Sequence, residues 1–389
     1  MKKLMVIFAA IFGIFCMVQE VAAGENIKIK VINPLNESRS CETISIDLSK
    51  LADSTSSPQA GFEKIKPAVY SDNLKKFIPC QLMDENGDGT NDELIFQSDF
   101  KAKQVQLFEI TEANATNQVQ LEYGAVANYI PQRKDDFAWE NDKLGFRMYG
   151  QELQRTELTS SGIDVWMKKA KRPVMLDLYA KGHDYYHHDN PMAIDFYNIG
   201  STLGCGGLGV WFDGKLLMSE NYYQWKIIAN GPIRTIFELS YKPWDMGGKK
   251  IGEVKRISLD ISSNFNRIES RFGADVKDIT FAVGVTKKER NRKAAYSKNK
   301  RVLSTWEDAE PRFGIIGCGV ILPKEAAMGK TADDGENYLL LAKAKNNSIV
   351  YYAGAGWNRT AGFETKEKWN AFAENTAKLI ANPLVIKIK

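Results

Sequence analysis

The stretch Pro232-Ile233-Arg234-Thr235-Ile236-Phe237-Glu238-Leu239-Ser240-Tyr241 decides the fold. Ile233, Phe237, Leu239 and Tyr241 fall on one face of an extended chain, and Arg234 and Glu238 fall on the other. That is the two-residue period of a strand with one buried side. The texture recurs at 254–260, 266–272, 279–285, 313–322, 338–344 and 348–353, and earlier at 26–32, 42–48, 93–96 and 105–110. Gly, Pro, Asn and Asp punctuate these runs. Only one stretch has a helical period. Trp369, Phe372, Ala373, Leu379 and Ile380 share a face there, with Thr365 at the cap and Asn382-Pro383 at the end. No alternation of strands with helices is present, so a doubly wound α/β fold is excluded. The sequence predicts an all-β protein: an N-terminal β-sandwich over 24–125, then a larger antiparallel unit over 126–389 that carries one C-terminal helix.

The 389 residues are 44% hydrophobic and 26% charged. This composition excludes a disordered chain, a collagen-like fibre and a protein with many membrane spans. The formal charge of +4 is spread along the chain, so no nucleic-acid-binding tract is implied. Lys2 and Lys3, the apolar run 4–18 and Val21-Ala22-Ala23 read as a secretory signal cleaved before Gly24. The apolar run is too short to span a bilayer. Cys16 is a poor lipidation site because Phe15 precedes it. The expected mature protein is nearly neutral and periplasmic or secreted. Its four cysteines, Cys41, Cys80, Cys205 and Cys318, allow three pairings, among which the sequence does not choose.

Three motifs bear on chemistry. In the run 84–92, Asp84, Asn86, Asp88 and Asp92 place oxygens at alternate positions, Thr90 adds a carbonyl, and Gly89 permits a sharp turn. That is the spacing of a structural calcium loop, although Ile95 stands where a closing Glu would sit; the alternative is an ordinary hairpin turn. Gly204-Cys205-Gly206-Gly207-Leu208-Gly209 matches a dinucleotide fingerprint as a string but lacks the strand-to-helix context. A bulge or a close backbone approach is expected instead, and no nucleotide cofactor. The only three histidines, His183, His187 and His188, lie together in Gly182-His183-Asp184-Tyr185-Tyr186-His187-His188-Asp189. Any imidazole chemistry near neutral pH must come from this loop. Charged rows form a fourth feature: Arg234 and Glu238, then Lys255, then Arg267, Glu269 and Arg271. They fit either a solvated sheet face with cross-strand ion pairs or a cleft for an acidic saccharide.

The segments Asp135-Asp136-Phe137-Ala138-Trp139-Glu140-Asn141-Asp142 and Phe146-Arg147-Met148-Tyr149-Gly150 resemble signatures of the family called domain of unknown function 4861. So do Gly162-Ile163-Asp164-Val165-Trp166, Gly204-Cys205-Gly206-Gly207, Asn230-Gly231-Pro232-Ile233-Arg234 and the Asp84 loop. Tyr186, His187 and Asp189 match a Tyr-His-x-Asp pattern, while Pro191, Met192 and Ala193 depart from the Gly-Glu-Gly that would follow. The resemblance implies a galactose-mutarotase-like β super-sandwich after the first sandwich. It also implies a secreted protein encoded beside pectin- and ulvan-degrading enzymes, with uronic-acid-containing saccharides as substrates.

On such a substrate the expected chemistry is that of a carbon–oxygen lyase or dehydratase, which needs a base, an acid and a cation. A non-catalytic saccharide-binding protein and a mutarotase or epimerase are the alternatives. His187 is the expected base, Tyr186 or Tyr197 the acid, and Asp195 the group that fixes the imidazole tautomer. Arg147 and Arg234 are expected to clamp a carboxylate, with Trp139 and Trp166 as sugar platforms and Tyr149, His188 and Glu238 beside them. This assignment requires segments 139–149, 183–197 and 234–238 to meet in one cleft.

Overall fold

The structure is a computed structural model that describes residues 26–52, 66–289 and 292–388; the expected signal over 1–23 lies outside them. Every pairing between its strands is antiparallel. Two sheets form the first sandwich. One runs Val385–Ile388, Ile27–Ile32, Val105–Glu112, Pro67–Ser71, Lys76–Ile78, and the other Arg39–Asp47, Glu93–Phe100, Cys80–Met83. Alternate residues Ile27, Ile29 and Val31 turn inward and meet Ile44, Ile46, Phe96, Phe108 and Ile110. The last strand, which the sequence grouped with the second unit, returns to the first sandwich with Ile388 opposite Ile29. Its Ile386 and Ile388 pack on that core.

The second unit holds two five-stranded sheets and a nine-stranded sheet. The former are linked where Ile163 bridges Gly204. All three contribute to one core: Phe137, Phe146 and Val165 from the first, Leu208, Phe281 and Leu340 from the second, and Phe237, Leu239 and Ile257 from the third. This is the expected super-sandwich. The glycine run does packing work. Cys205 and Gly207 flank a bulge, and Gly204 and Gly206 have φ of 64° and 100°. A Cβ on Gly204 would lie 2.1 Å from the Ile163 carbonyl oxygen, and one on Gly206 2.1 Å from Ala353 Cβ. No side chain fits there.

The helix Lys366–Ala381 starts where Thr365 Oγ1 accepts the Lys368 amide at 3.3 Å. Its Trp369 and Ala373 are fully buried on the outer face of the nine-stranded sheet, beside Phe265, Phe363 and Trp306. No helix among the described residues is long and apolar enough to cross a membrane.

The charged rows resolve into pairs. Arg234 grips Asp260 at 2.6 and 2.9 Å and lies 3.6 Å from Glu93 of the first sandwich. Glu238 bonds Arg271 and sits 3.7 Å from Arg256. Lys255, opposite inward-facing Leu239, is buried with Glu253 at 3.0 Å. Arg234, Glu238 and Arg271 are therefore ion-paired on the sheet face against which the first sandwich rests, whereas Lys255 points into the core.

Candidate active site

Strands Asp136–Glu140, Leu144–Met148 and Asp164–Lys168 are buried along their whole length. Their polar residues must therefore find partners inside. Arg147 stands directly opposite Asp164. Its Nη2 donates to Asp164 Oδ2 at 2.5 Å, to Asp195 Oδ2 at 2.6 Å and to the Tyr149 hydroxyl at 3.0 Å. Asp136 Oδ2 lies 3.7 Å from Nη1. One guanidinium thus serves three buried carboxylates, while its Nε and Nη1 and Asp136 Oδ1 find no hydrogen-bond partner among the described residues. Burial raises the proton affinity of this cluster. Burial, opposed by Arg147, pushes Asp136 up to about 7. Burial, reinforced by the Asp195 charge, pushes Asp164 up to about 6. Asp195 is raised by burial too, and Tyr149 is held well above its ordinary value for the same reason.

The histidine segment follows one short helix, and of its histidines only His183 lies within a second, His183–Tyr186. Glu140 accepts the Val174 and Met175 amides at 2.8 and 2.7 Å and so caps Met175–Lys181, and Lys168 neutralises it at 2.6 Å. Gly182, at φ 96°, breaks the chain into the turn His183–Tyr186. Tyr186 packs its ring on Trp166 at 4.7 Å, which seats His187 above Arg147 and Asp195. His187 Nδ1 is 2.8 Å from the Asp195 main-chain oxygen, and Nε2 is 3.7 Å from Asp195 Oδ2. A carbonyl can only accept, so Nδ1 carries the proton and Nε2 the lone pair. Burial lowers the pKa of His187 and of His183, whose rings are 4.4 Å apart.

These groups open into a cleft of about 550 Å³ with Arg147 and Asp195 at its floor and Arg133, Tyr149, Phe196 and Arg312 on its walls. Of the expected segment 139–149 only Arg147 and Tyr149 line it, and of 183–197 only His183, His187, Asp195 and Phe196. Segment 234–238 does not: Arg234 and Glu238 belong to the ion-paired sheet face. Trp139 is fully buried, stacked on Phe146 and bonded to Asn266 at 2.7 Å, so it offers no sugar platform. Trp166 is also fully buried, beneath Arg147 at 5.0 Å. Tyr197 points inward to the Gly204 carbonyl at 3.4 Å, and Tyr186 is buried with its hydroxyl on Arg133 Nε at 3.4 Å. Neither tyrosine lines the cleft. His188 bonds the Asp184 carbonyl at 2.6 Å, outside the cleft lining.

Arg133, His183, Arg312, Asp136 and Asp164 were given no role from the sequence. Two of them carried a signal, because an Asp inside an otherwise apolar strand has to be paired. Arg133 and Arg312 sit in turns, and no periodicity marks them.

In the Asp84 loop, Asp84 accepts the amides of Gly87 and Gly89 at 2.6 and 2.8 Å, and Asp92 accepts that of Glu85 at 2.7 Å. Asn86 accepts the Asp88 amide and Asp88 the Thr90 amide, both at 2.8 Å. Among the described residues, no three His, Cys, Asp or Glu side chains converge at metal-binding distance. The four described cysteines, Cys41, Cys80, Cys205 and Cys318, are thiols.

The sheets and their shared core define an all-β super-sandwich protein. The chain belongs to the family described as Domain of unknown function (DUF4861), whose model matches residues 31–386. It is 30% identical over 382 residues to Uncharacterized protein P7 of Formosa agariphila, covering 94% of each chain. Among solved structures it is similar to an alpha-mannosidase from Enterococcus faecalis V583, with TM-score 0.54, 7% identity, and 94% of this chain on 46% of that one. A glycosyl hydrolase family 38 protein from Enterococcus faecalis gives TM-score 0.56 and 7% identity, with coverage of 94% and 47%. The chain spans about half the length of these two structures, and the likeness is one of fold alone.

Proposed function

We propose that this protein is a carbon–oxygen lyase or dehydratase acting on uronic-acid-containing oligosaccharides outside the cytoplasm. The observation that carries the reading is the His187–Asp195 arrangement at the floor of an arginine-lined cleft. A uronate carboxylate paired with Arg133 acidifies the neighbouring carbon and stabilises the enolate-like charge as it forms. His187 Nε2 takes that carbon's proton, and the Asp195 carboxylate 3.7 Å away steadies the imidazolium. The carbon–oxygen bond at the next carbon breaks as a carbon–carbon double bond forms. Tyr149, which burial keeps protonated, gives its proton to the departing oxygen. That oxygen leaves as water or as the hydroxyl of the adjoining sugar, and the proton on His187 returns through solvent to Tyr149. We also propose a structural calcium ion for the Asp84 loop, whose residues take no part in the cleft lining.

The test is absorbance near the unsaturated-uronate band together with product masses on pectin- and ulvan-derived oligosaccharides. A product lighter by one water makes the protein a dehydratase, and two shorter chains make it a glycan lyase. Unchanged masses with unchanged absorbance would leave a binding protein or an epimerase and sink the proposal.

A further inference from the structure

The cleft holds a second guanidinium whose setting differs from that of Arg133. Arg133 reaches in from the turn Pro131–Arg133, its Nε on Tyr186 and its Nη2 3.9 Å from Glu157, beside His183 and His187. Arg312 comes from a separate sheet, on the turn between Glu307–Glu310 and Gly314–Ile321. That turn is fastened from three sides. Arg359 donates to the Arg312 carbonyl at 2.6 Å, the Trp357 indole donates to the Phe313 carbonyl at 2.9 Å, and the Phe313 amide bonds the Glu310 carbonyl at 2.9 Å.

On this fixed base the Arg312 side chain is 67% exposed. Its Nε is held by Glu310 at 3.0 Å, and its Cζ lies over the Phe313 ring, 4.8 Å from the centroid. Both terminal nitrogens are without a hydrogen-bond partner among the described residues. A guanidinium steadied at Nε and against a ring presents its terminal edge in the orientation that grips an anion through two parallel hydrogen bonds. Little ordering remains to be done at binding. Arg147, by contrast, has its charge committed to three aspartates.

We propose that Arg312 binds a second anionic group of the substrate, carried on a sugar next to the one that reacts. The cleft thereby selects oligosaccharides with two or more negative charges over singly charged ones. The inference rests on the reading that uronic saccharides occupy this cleft, and it adds the charge pattern that they must carry. The shared chemistry is an oxyanion, either a carboxylate or a sulfate ester.

Binding in the His187→Ala background, where turnover is removed, tests this by calorimetry with three probes: galacturonate, digalacturonate, and a disaccharide of one uronate and one sulfated rhamnose. Arg312→Ala should weaken one or both dianionic disaccharides by about tenfold or more and leave galacturonate within about twofold. Arg312→Lys should recover only part of the loss, because an ammonium keeps the charge but not the fork. The disaccharide that suffers identifies carboxylate or sulfate as the second anion. Equal losses for all three probes, or no loss for either disaccharide, would overturn the role of Arg312 and leave the uronate reading standing. Failure of the cleft with Arg312 intact to bind any of the three would overturn both.

Discussion

His187 Nδ1 lies 2.8 Å from the main-chain oxygen of Asp195, while the carboxylate of the same residue stands 3.7 Å from His187 Nε2. One aspartate therefore acts on both nitrogens. Its backbone fixes which one carries the proton, and its side chain lies within reach of the other. A backbone carbonyl cannot ionise, so the neutral ring keeps its proton on Nδ1. Because burial lowers the His187 pKa, the imidazole is neutral at pH 7 and available as a base.

His187→Ala is expected to lower turnover of uronic oligosaccharides by about 10²–10⁴-fold, the usual cost of losing a general base. The side chain is 34% exposed, so the melting temperature should scarcely change. In the unaltered protein kcat/KM should fall with acidification only below the ordinary histidine value of 6.5, since the neutral form is the active one. Normal turnover by the variant in steady-state assays would remove His187 from the mechanism.

Asp136 gives a pH signature in stability. Burial, against the pull of Arg147, raises its pKa from 3.8 to about 7, so the folded protein holds this proton more tightly than the unfolded chain. The associated stabilisation is complete below 3.8 and is lost as pH rises through 7. Each tenfold difference in proton affinity is worth about 1.4 kcal/mol. Asp136→Asn keeps a neutral group of the same shape, so its melting temperature should fall less between pH 4 and 7 than that of the unaltered protein. Parallel melting curves across that range would contradict the assignment.

The all-β fold was legible because its strands bury one face, as at Ile233, Phe237, Leu239 and Tyr241, and because the helix around Trp369 has an intact period and cap. The site was legible in its histidines, whose rarity drew attention to one segment. Its cations were not. Arg234 and Arg147 occupy motif positions and were expected to meet substrate, yet Arg234 is spent on Asp260 and Glu93 and Arg147 on three aspartates. Whether an arginine is free depends on which carboxylates fold against it, and those come from residues 11 to 141 positions away. Trp139 and Trp166 misled for a similar reason. An indole in a strand reads alike whether that strand ends at a cleft or under another sheet.

Trp369 pins the C-terminal helix to the nine-stranded sheet, and two glycines make the room. A Cβ on Gly317 would sit 2.5 Å from the indole ring, and one on Gly356 2.7 Å from it. Trp369→Ala should cost about 3–5 kcal/mol in urea unfolding, because these backbones cannot collapse into the space left behind. A loss below about 1 kcal/mol would mean that the helix is held elsewhere.

The Asp84 loop is the proposed calcium site. Gly89 occupies the sixth position counted from Asp84 with φ 90°, where such loops turn sharply. The amides of residues 87 to 89 point at the Asp84 carboxylate, and each side-chain oxygen that accepts one amide keeps a second lone pair. Lys226 opposes the ion, since its Nζ would lie 2.9 Å from a Cβ placed on Gly87. Binding therefore requires the Lys226 ammonium to withdraw. An ion bound to the folded protein alone, at about a hundred times its dissociation constant, adds about 2.7 kcal/mol. Millimolar calcium should raise the melting temperature by several degrees, chelator should reverse the shift, and Asp84→Ala should abolish it. Uronate turnover measured well below the melting temperature should be the same with and without the ion. A melting temperature indifferent to calcium and chelator alike would make 84–92 a hairpin turn held by its own amides.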